Sequence, residues 1–139
     1  MIEIFPVPSA MAPDVVDRVE ADIRAALEHG GDFDVDDVRE MVAKRDWQIW
    51  IVTEAGRHAG VVITHVALRP TAKVCEIVLL AGIDAKRWMG RAEDAVAGWA
   101  RELGCVAMEA AGRLGWERRM APKGWRRAAV VIRKELTNG

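Results

Sequence analysis

Apolar residues recur at two spacings along this chain, and the spacing changes at residue 47. Before it, Val16, Val19, Ile23 and Leu27 fall three or four apart, the period of a helix with one buried face. Pro13 suits the first turn of that helix, and Gly30-Gly31 stop it. Ahead of it, residues 2–7 alternate well enough for a strand, which Pro6 and Pro8 confine to an edge. Asp34 is placed to cap a second short helix that presents Val38, Met41 and Val42 on one face. From residue 47 the period drops to two. Residues 47–53, 60–68 and 74–81 are rich in β-branched side chains. Short turn sequences separate them, Ala55-Gly56-Arg57-His58 and Arg69-Pro70-Thr71, which predicts an antiparallel meander.

The helical period returns in Trp88, Ala92, Ala95, Val96, Trp99 and Leu103, with Gly104 as the C-terminal stop. Residues 105–110 predict a short buried strand, and 113–121 a helix that Pro122 and Gly124 end. Residues 125–136 predict a last strand. The order β-α-α-β-β-β-α-β-α-β predicts an α/β fold with a mixed central sheet and helices on both faces. No repeat, low-complexity stretch or linker divides it, so residues 1–139 read as one domain.

Composition narrows the function classes. Half of the residues are apolar and the formal net charge is -1, which argues against disorder and against bulk electrostatic attraction to nucleic acid. Apolar runs such as residues 77–81 fall far short of the ~20 residues that span a bilayer. No basic segment followed by an apolar stretch opens the sequence, so a cytoplasmic protein with no membrane role is expected. Cys75 and Cys105 stand among apolar residues without C-x-x-C or Cys/His ligand spacing, which points to buried reduced thiols and no metal site. The charge is uneven: residues 1–46 hold 12 acidic and 5 basic side chains, and residues 112–139 hold 8 basic and 2 acidic. Two solvated faces account for this, and so does an anion site or an acidic protein partner near the C-terminal end.

Local sequence supports a more specific reading. The closing stretch GWERRMAPKGWRRAAVVIRKEL has a helix, a Gly-aromatic pair and a strand ending in Lys-Glu-Leu, and Trp99 to Cys105 reads WARELGC. Both, with the element order, resemble the GNAT superfamily of N-acetyltransferases over nearly the whole chain. The pieces GRLGW, WARELGC and WQIWIV are also similar to small GNAT-like proteins encoded in phages and prophages. The first resemblance implies acetyl-CoA as cosubstrate and an amine as acceptor. The second implies a degenerate domain acting through a protein partner in virion assembly, located in the virion.

The resemblance also implies site residues. GNAT enzymes bind the pyrophosphate of acetyl-CoA with a Gln/Arg-x-x-Gly-x-Gly/Ala loop at the start of the long helix, where backbone N–H groups and the positive helix end meet the phosphates. Arg87-Trp88-Met89-Gly90-Arg91-Ala92 fits that pattern, which would make Arg87, Gly90, Arg91 and Ala92 the cofactor-binding residues. Counting back from WARELGC gives a second register, in which Asp84 caps a helix that already runs through Gly90 and no loop remains. In the histone-acetyltransferase-like branch a catalytic glutamate precedes the motif by eleven residues, as Glu76 precedes Arg87. A carboxylate in a mostly apolar strand should hold a proton tightly, which suits a base acting near neutral pH. An outward-facing strand glutamate is the structural alternative. His65 could be a second base or hold a water. His29 at a helix end and His58 in a turn need no function. The superfamily places a tyrosine, the general acid for the departing thiolate, four residues before the Gly-aromatic pair. Here that position is Met120, and the chain has no tyrosine. Trp99, Trp47, Trp50 and Trp125 read as packing, while Trp88 and Trp116 lie beside arginines and are open to an interface role.

Overall fold

The computed structural model describes residues 1–30, 32–112 and 114–137. Five strands form one sheet in sequence order: β1 (Ile2–Pro6), β2 (Trp47–Glu54), β3 (Arg57–Leu68), β4 (Lys73–Gly82) and β5 (Ala107–Ala110). The first four are antiparallel neighbours, and β4 and β5 are parallel. Helices α1 (Ala12–Arg18), α2 (Glu20–Leu27) and α3 (Val35–Ala43) connect β1 to β2. The parallel pair requires a crossover, and α4 (Ala85–Glu102) supplies it. After β5 come α5 (Leu114–Met120) and a 3-10 turn, Ala121–Lys123.

Two cores result, one on each face of the sheet. Val16, Ile23, Val38 and Val42 of α1–α3 pack on Ile49, Val61, Ile63 and Leu79. Trp88, Ala92, Val96 and Ala100 of α4 pack on Trp50, Val52, Val62 and Cys75. The sheet alternation sends neighbouring residues to opposite cores.

The local chemistry of several elements is as expected. Asp34 caps α3 in a reciprocal box with Asp37, each carboxylate accepting the other's backbone N–H at 2.9 Å. Gly104, at φ 85, ends α4. The β2–β3 turn is tighter than anticipated: Ala55 and Gly56 both take positive φ (54 and 77), giving a two-residue hairpin whose twist matches the strands. The predicted first helix is divided at Val19 into α1 and α2.

Gly60 and Gly82 pair across β3 and β4, beneath the fully buried ring of Trp88. A Cβ at Gly60 would overlap that ring and come within 2.8 Å of the Ala81 carbonyl oxygen. The indole N–H donates to the Ile83 carbonyl at 3.0 Å. Trp88 is therefore a core residue fixing the first turn of α4 to the sheet.

One predicted element is absent. Residues 125–137 form no strand, and Val130, Val131, Ile132 and Leu136 are exposed. The pattern is that of a strand, but no neighbouring edge receives it, and strand propensity is realised only in pairing.

Candidate functional site

Strands β3, β4 and β5 bring three titratable side chains into one row. His65 lies opposite Glu76 across the antiparallel pair, and Glu76 lies opposite Glu109 across the parallel one. Cys75 and Ile77 turn toward α4, so Glu76 projects from the other face. His65 Nδ1 is 3.0 Å from the Glu76 carboxylate. Arg69, just past β3, donates to both Glu109 oxygens at 3.0 and 2.7 Å and stands 3.7 Å from Glu76. That bidentate fork holds the Glu109 carboxyl below the usual range and raises the Arg69 guanidinium.

The apolar enclosure expected for Glu76 is not found. Its side chain is 40% exposed and faces an imidazole and a guanidinium. The reason is geometric: its apolar strand neighbours line the opposite face and never surround it. Spacing along the chain marked Glu76 and His65 separately, but only strand register joins them. Arg69 and Glu109 carried no sequence signal beyond a turn residue and a strand residue.

One residue beyond Glu76 the parallel strands part. Ile77 opposite Ala110 is the last β4–β5 pair, whereas β4 continues to Gly82. The β3–β4 register slips at the same place: Thr64 pairs with Ile77 and Ile63 with Leu79, leaving Val78 as a bulge. Beyond Ile77, among the described residues, one edge of β4 therefore has no strand against it. A parallel strand end followed directly by a helix is where α/β sheets hold ligands.

The helix that follows is cationic at the wrong end for its own stability. Asp84 takes φ 47 and makes no side-chain cap, and the first turn of α4 has no acidic residue. Lys86, Arg87 and Arg91 all fall in its first two turns, near the positive end of the helix dipole, where an anion would be favoured. Arg87 is paired with Glu54, and Lys86 and Arg91 are exposed. Residues 87–92 are helical throughout, so the register in which the helix runs through Gly90 holds and the separate loop does not form. Asp84 turns the chain into the helix three residues before Arg87. Gly90 is half-buried, its carbonyl accepting from Lys123 at 3.2 Å, and Ala92 is buried in the α4 core.

Met120, the last residue of α5, is buried in a narrow apolar cleft with Ile77, Leu80, Met89, Ala92 and Trp116. A cavity of ≈ 380 Å³ lies elsewhere, between Pro6, Ser9, Arg45, Trp47 and Trp99. Trp47 reaches Glu76 only through the β2–β3–β4 row, two strands away. His58 Nε2 sits 2.6 Å from Asp22, tying β3 to α2. Both cysteines are free, and burial pushes the Cys75 thiol up to about 11. Among the described residues no helix is long and apolar enough to cross a membrane.

No protein-family model matches this chain, and no curated protein sequence matches it. Solved structures do. The structure of AAC(6')-Iy in complex with the bisubstrate analogue CoA-S-monomethyl-acetylneamine superimposes with a TM-score of 0.74 at 11% identity, covering 99% of each chain. The aminoglycoside 6'-N-acetyltransferase AAC(6')-Ih from Acinetobacter baumannii gives 0.70 at 13%, covering 100% of each. A ribosomal-protein-alanine N-acetyltransferase from Brucella melitensis biovar Abortus 2308 gives 0.66 at 16%, covering 99% of each. The fold is that of the GNAT acetyltransferases: a mixed sheet with helices on both sides, opened between its two parallel strands.

Proposed function

We propose that the chain is an N-acetyltransferase that binds acetyl-CoA and passes the acetyl group directly to an amine. The observation that carries this reading is the parting of β4 and β5 beside the Glu76–His65 pair, at the foot of a cationic helix N-terminus. The acetyl-CoA pyrophosphate would lie at the start of α4. Arg87 and Arg91 supply charge there, half-buried Gly90 permits close approach, and Ala92 supports the turn from the core side. The open edge of β4 past Val78 offers backbone hydrogen bonds to the acyl arm.

Glu76 would take a proton from the acceptor ammonium, and His65 at 3.0 Å positions the carboxylate or passes the proton on. The amine nitrogen then attacks the thioester carbon, the tetrahedral intermediate collapses, and the C–S bond breaks. The attacking nitrogen releases its second proton to water as the amide forms, and the departing thiolate takes a proton from water, because the tyrosine position is filled by Met120. Buried Met120 also favours a second reading: a catalytically degenerate GNAT-fold domain that works as an interaction module.

Thermal unfolding with acetyl-CoA separates the two. Ligand at ~100 times its dissociation constant adds about 2.7 kcal/mol, a shift of several degrees. Arg91→Glu should reduce the shift. Glu76→Gln should keep it while lowering kcat/KM for a primary amine by roughly 10²–10⁴. No shift at millimolar acetyl-CoA would sink the enzymatic reading.

A further inference from the structure

Strand β1 stops short of the start of β2. Their last pair is Pro6 with Trp50, so Trp47, Gln48 and Ile49 run on past the end of β1. Across this notch the Val7 amide donates to the Ile49 carbonyl at 2.9 Å. The Gln48 side chain donates to the carbonyls of Val7 and Ile49 at 2.9 and 2.8 Å. The Ile49 carbonyl thereby accepts two bonds, its full capacity. The cavity of ≈ 380 Å³ occupies the notch, bounded by Pro8 and Ser9, by Val42 and Arg45 at the end of α3, and by Trp99 of α4. Its size suits a small organic molecule.

Arg45 stands where a glycine would be more stable. It takes φ 65 just past α3, and its amide donates to the Val42 carbonyl at 3.1 Å while the Asp46 amide donates to the Met41 carbonyl at 3.0 Å. Those two bonds make a helix stop that favours glycine at this residue, and the matching residue after α4 is Gly104. Charge does not hold the side chain either. Residues 1–46 carry 12 acidic side chains against 5 basic, and Arg39 alone draws Asp17, Glu20 and Asp36. Among the described residues no carboxylate pairs with Arg45. A left-handed arginine with an unpaired guanidinium therefore lines the cavity, and backbone strain of this kind collects at sites of function.

The lining tryptophans add donors of the same kind. Trp50 and Trp88 give their indole N–H groups to Thr64 and to the Ile83 carbonyl, whereas among the described residues those of Trp47 and Trp99 meet no acceptor. The remaining walls, Pro6, Pro8 and Val42, are apolar. We propose that the cavity binds a small aromatic carboxylate, its ring against the tryptophans and its carboxylate on the Arg45 guanidinium. The site is distinct from the Glu76–His65 pair. Trp47 is two strands from Glu76, on the order of 10 Å along the sheet, so the proposal stands whether or not acetyl transfer occurs.

The test is a titration of the nitrogen-labelled full-length protein with indoleacetate, phenylacetate and benzoate, each to about 10 mM, following the indole N–H resonances. Trp→Phe variants assign the signals. At least one probe should shift the Trp47 and Trp99 signals and saturate. Its uncharged amide, and propionate, which has the charge without the ring, should each bind at least about 10-fold more weakly. Arg45→Gly should weaken binding by at least about 10-fold and yet melt no lower than wild type, since glycine relieves the left-handed backbone. Arg45→Lys, which keeps the charge and loses the fork, should fall between the two. Silence of both signals with all three probes overturns the proposal. So does binding of the amide or of propionate as tight as that of the aromatic carboxylate, and so does full affinity in Arg45→Gly. A clearly lower melting temperature for Arg45→Gly also overturns it, because the side chain then serves the fold.

Discussion

Two stretches of this protein have nearly the same strand-forming character and opposite fates. Residues 47–82 hold three strands, of which β3 is paired along both sides, with cores on both faces. Residues 125–137, with Ala128 to Ile132 as apolar as any strand in the meander, remain unpaired. The difference is in the connections. Turns of two to four residues bring β2, β3 and β4 together, whereas the C-terminal segment leaves a turn pinned to α4 and meets no edge. Side-chain pattern makes a strand available; the chain path decides whether it is used.

The strongest way to break the comparison is to disturb the meander. Gly60→Val drives side-chain carbons into the Trp88 ring and the Ala81 carbonyl, for an expected loss of about 3 kcal/mol. The thermal midpoint should fall by roughly 10 °C. A fall of a degree or two would mean that Trp88 can withdraw, and that α4 is less firmly seated than its buried indole indicates.

Alkaline pH probes the same region more gently. The Cys75 thiol is raised by burial to about 11 from an ordinary 9.0. Its contribution is whole below pH 9 and is lost as pH rises through 11, at most on the order of 2–3 kcal/mol for a two-unit shift. Urea midpoints of wild type and Cys75→Ala, followed from pH 8 to 11, should converge as pH rises. Parallel curves would place the thiol in contact with solvent.

Met120→Tyr examines the ground between the two regions. The larger ring must enter the apolar cleft with Trp116 and Met89, which should lower stability by about 1–2 kcal/mol. If the hydroxyl reaches the leaving sulfur, kcat rises with little change in affinity for acetyl-CoA. Unchanged turnover at reduced stability would show that Met120 only packs.

The smallest effects concern the rim of the site and the C-terminal segment. Glu109 is held low by Arg69, so its contribution is present above the ordinary carboxylate range and fades as pH falls through its folded value. The pair is exposed, so Arg69→Gln should flatten the acid limb of the stability curve only slightly. Val131→Asp, at an exposed position, should change stability by less than about 0.5 kcal/mol, against the large loss at Gly60. A larger loss would show that residues 125–137 pack on the sheet or its helices.

Much of this architecture was legible from residues alone, for reasons that differ by element. The cap at Asp34, the stop at Gly104 and the core stripe of α4 depend on neighbours a few positions away, and local pattern determines them. The meander follows from β-branched runs between turn sequences. The candidate site was less legible because it is assembled across strands: eleven positions separate His65 from Glu76, and forty separate Arg69 from Glu109. The motif at Arg87 to Ala92 fitted both a loop and a helix. The backbone of Asp84, in a conformation sequence rarely betrays, decides between them.

The pairing of β1 with β2 has a consequence in time. Ile2 lies opposite Glu54, and the Ala55 amide donates to the carbonyl of Met1 at 2.9 Å. As the chain is synthesised, β1 therefore waits for a partner about fifty residues behind it, roughly 3–10 s at ordinary rates of translation. During that wait β1 is an exposed five-residue strand with Pro6 at its end. Proline withholds one ladder donor and limits what else the strand can pair with. The meander, whose contacts are local, can close as soon as it emerges, and β1 docks onto a surface already made.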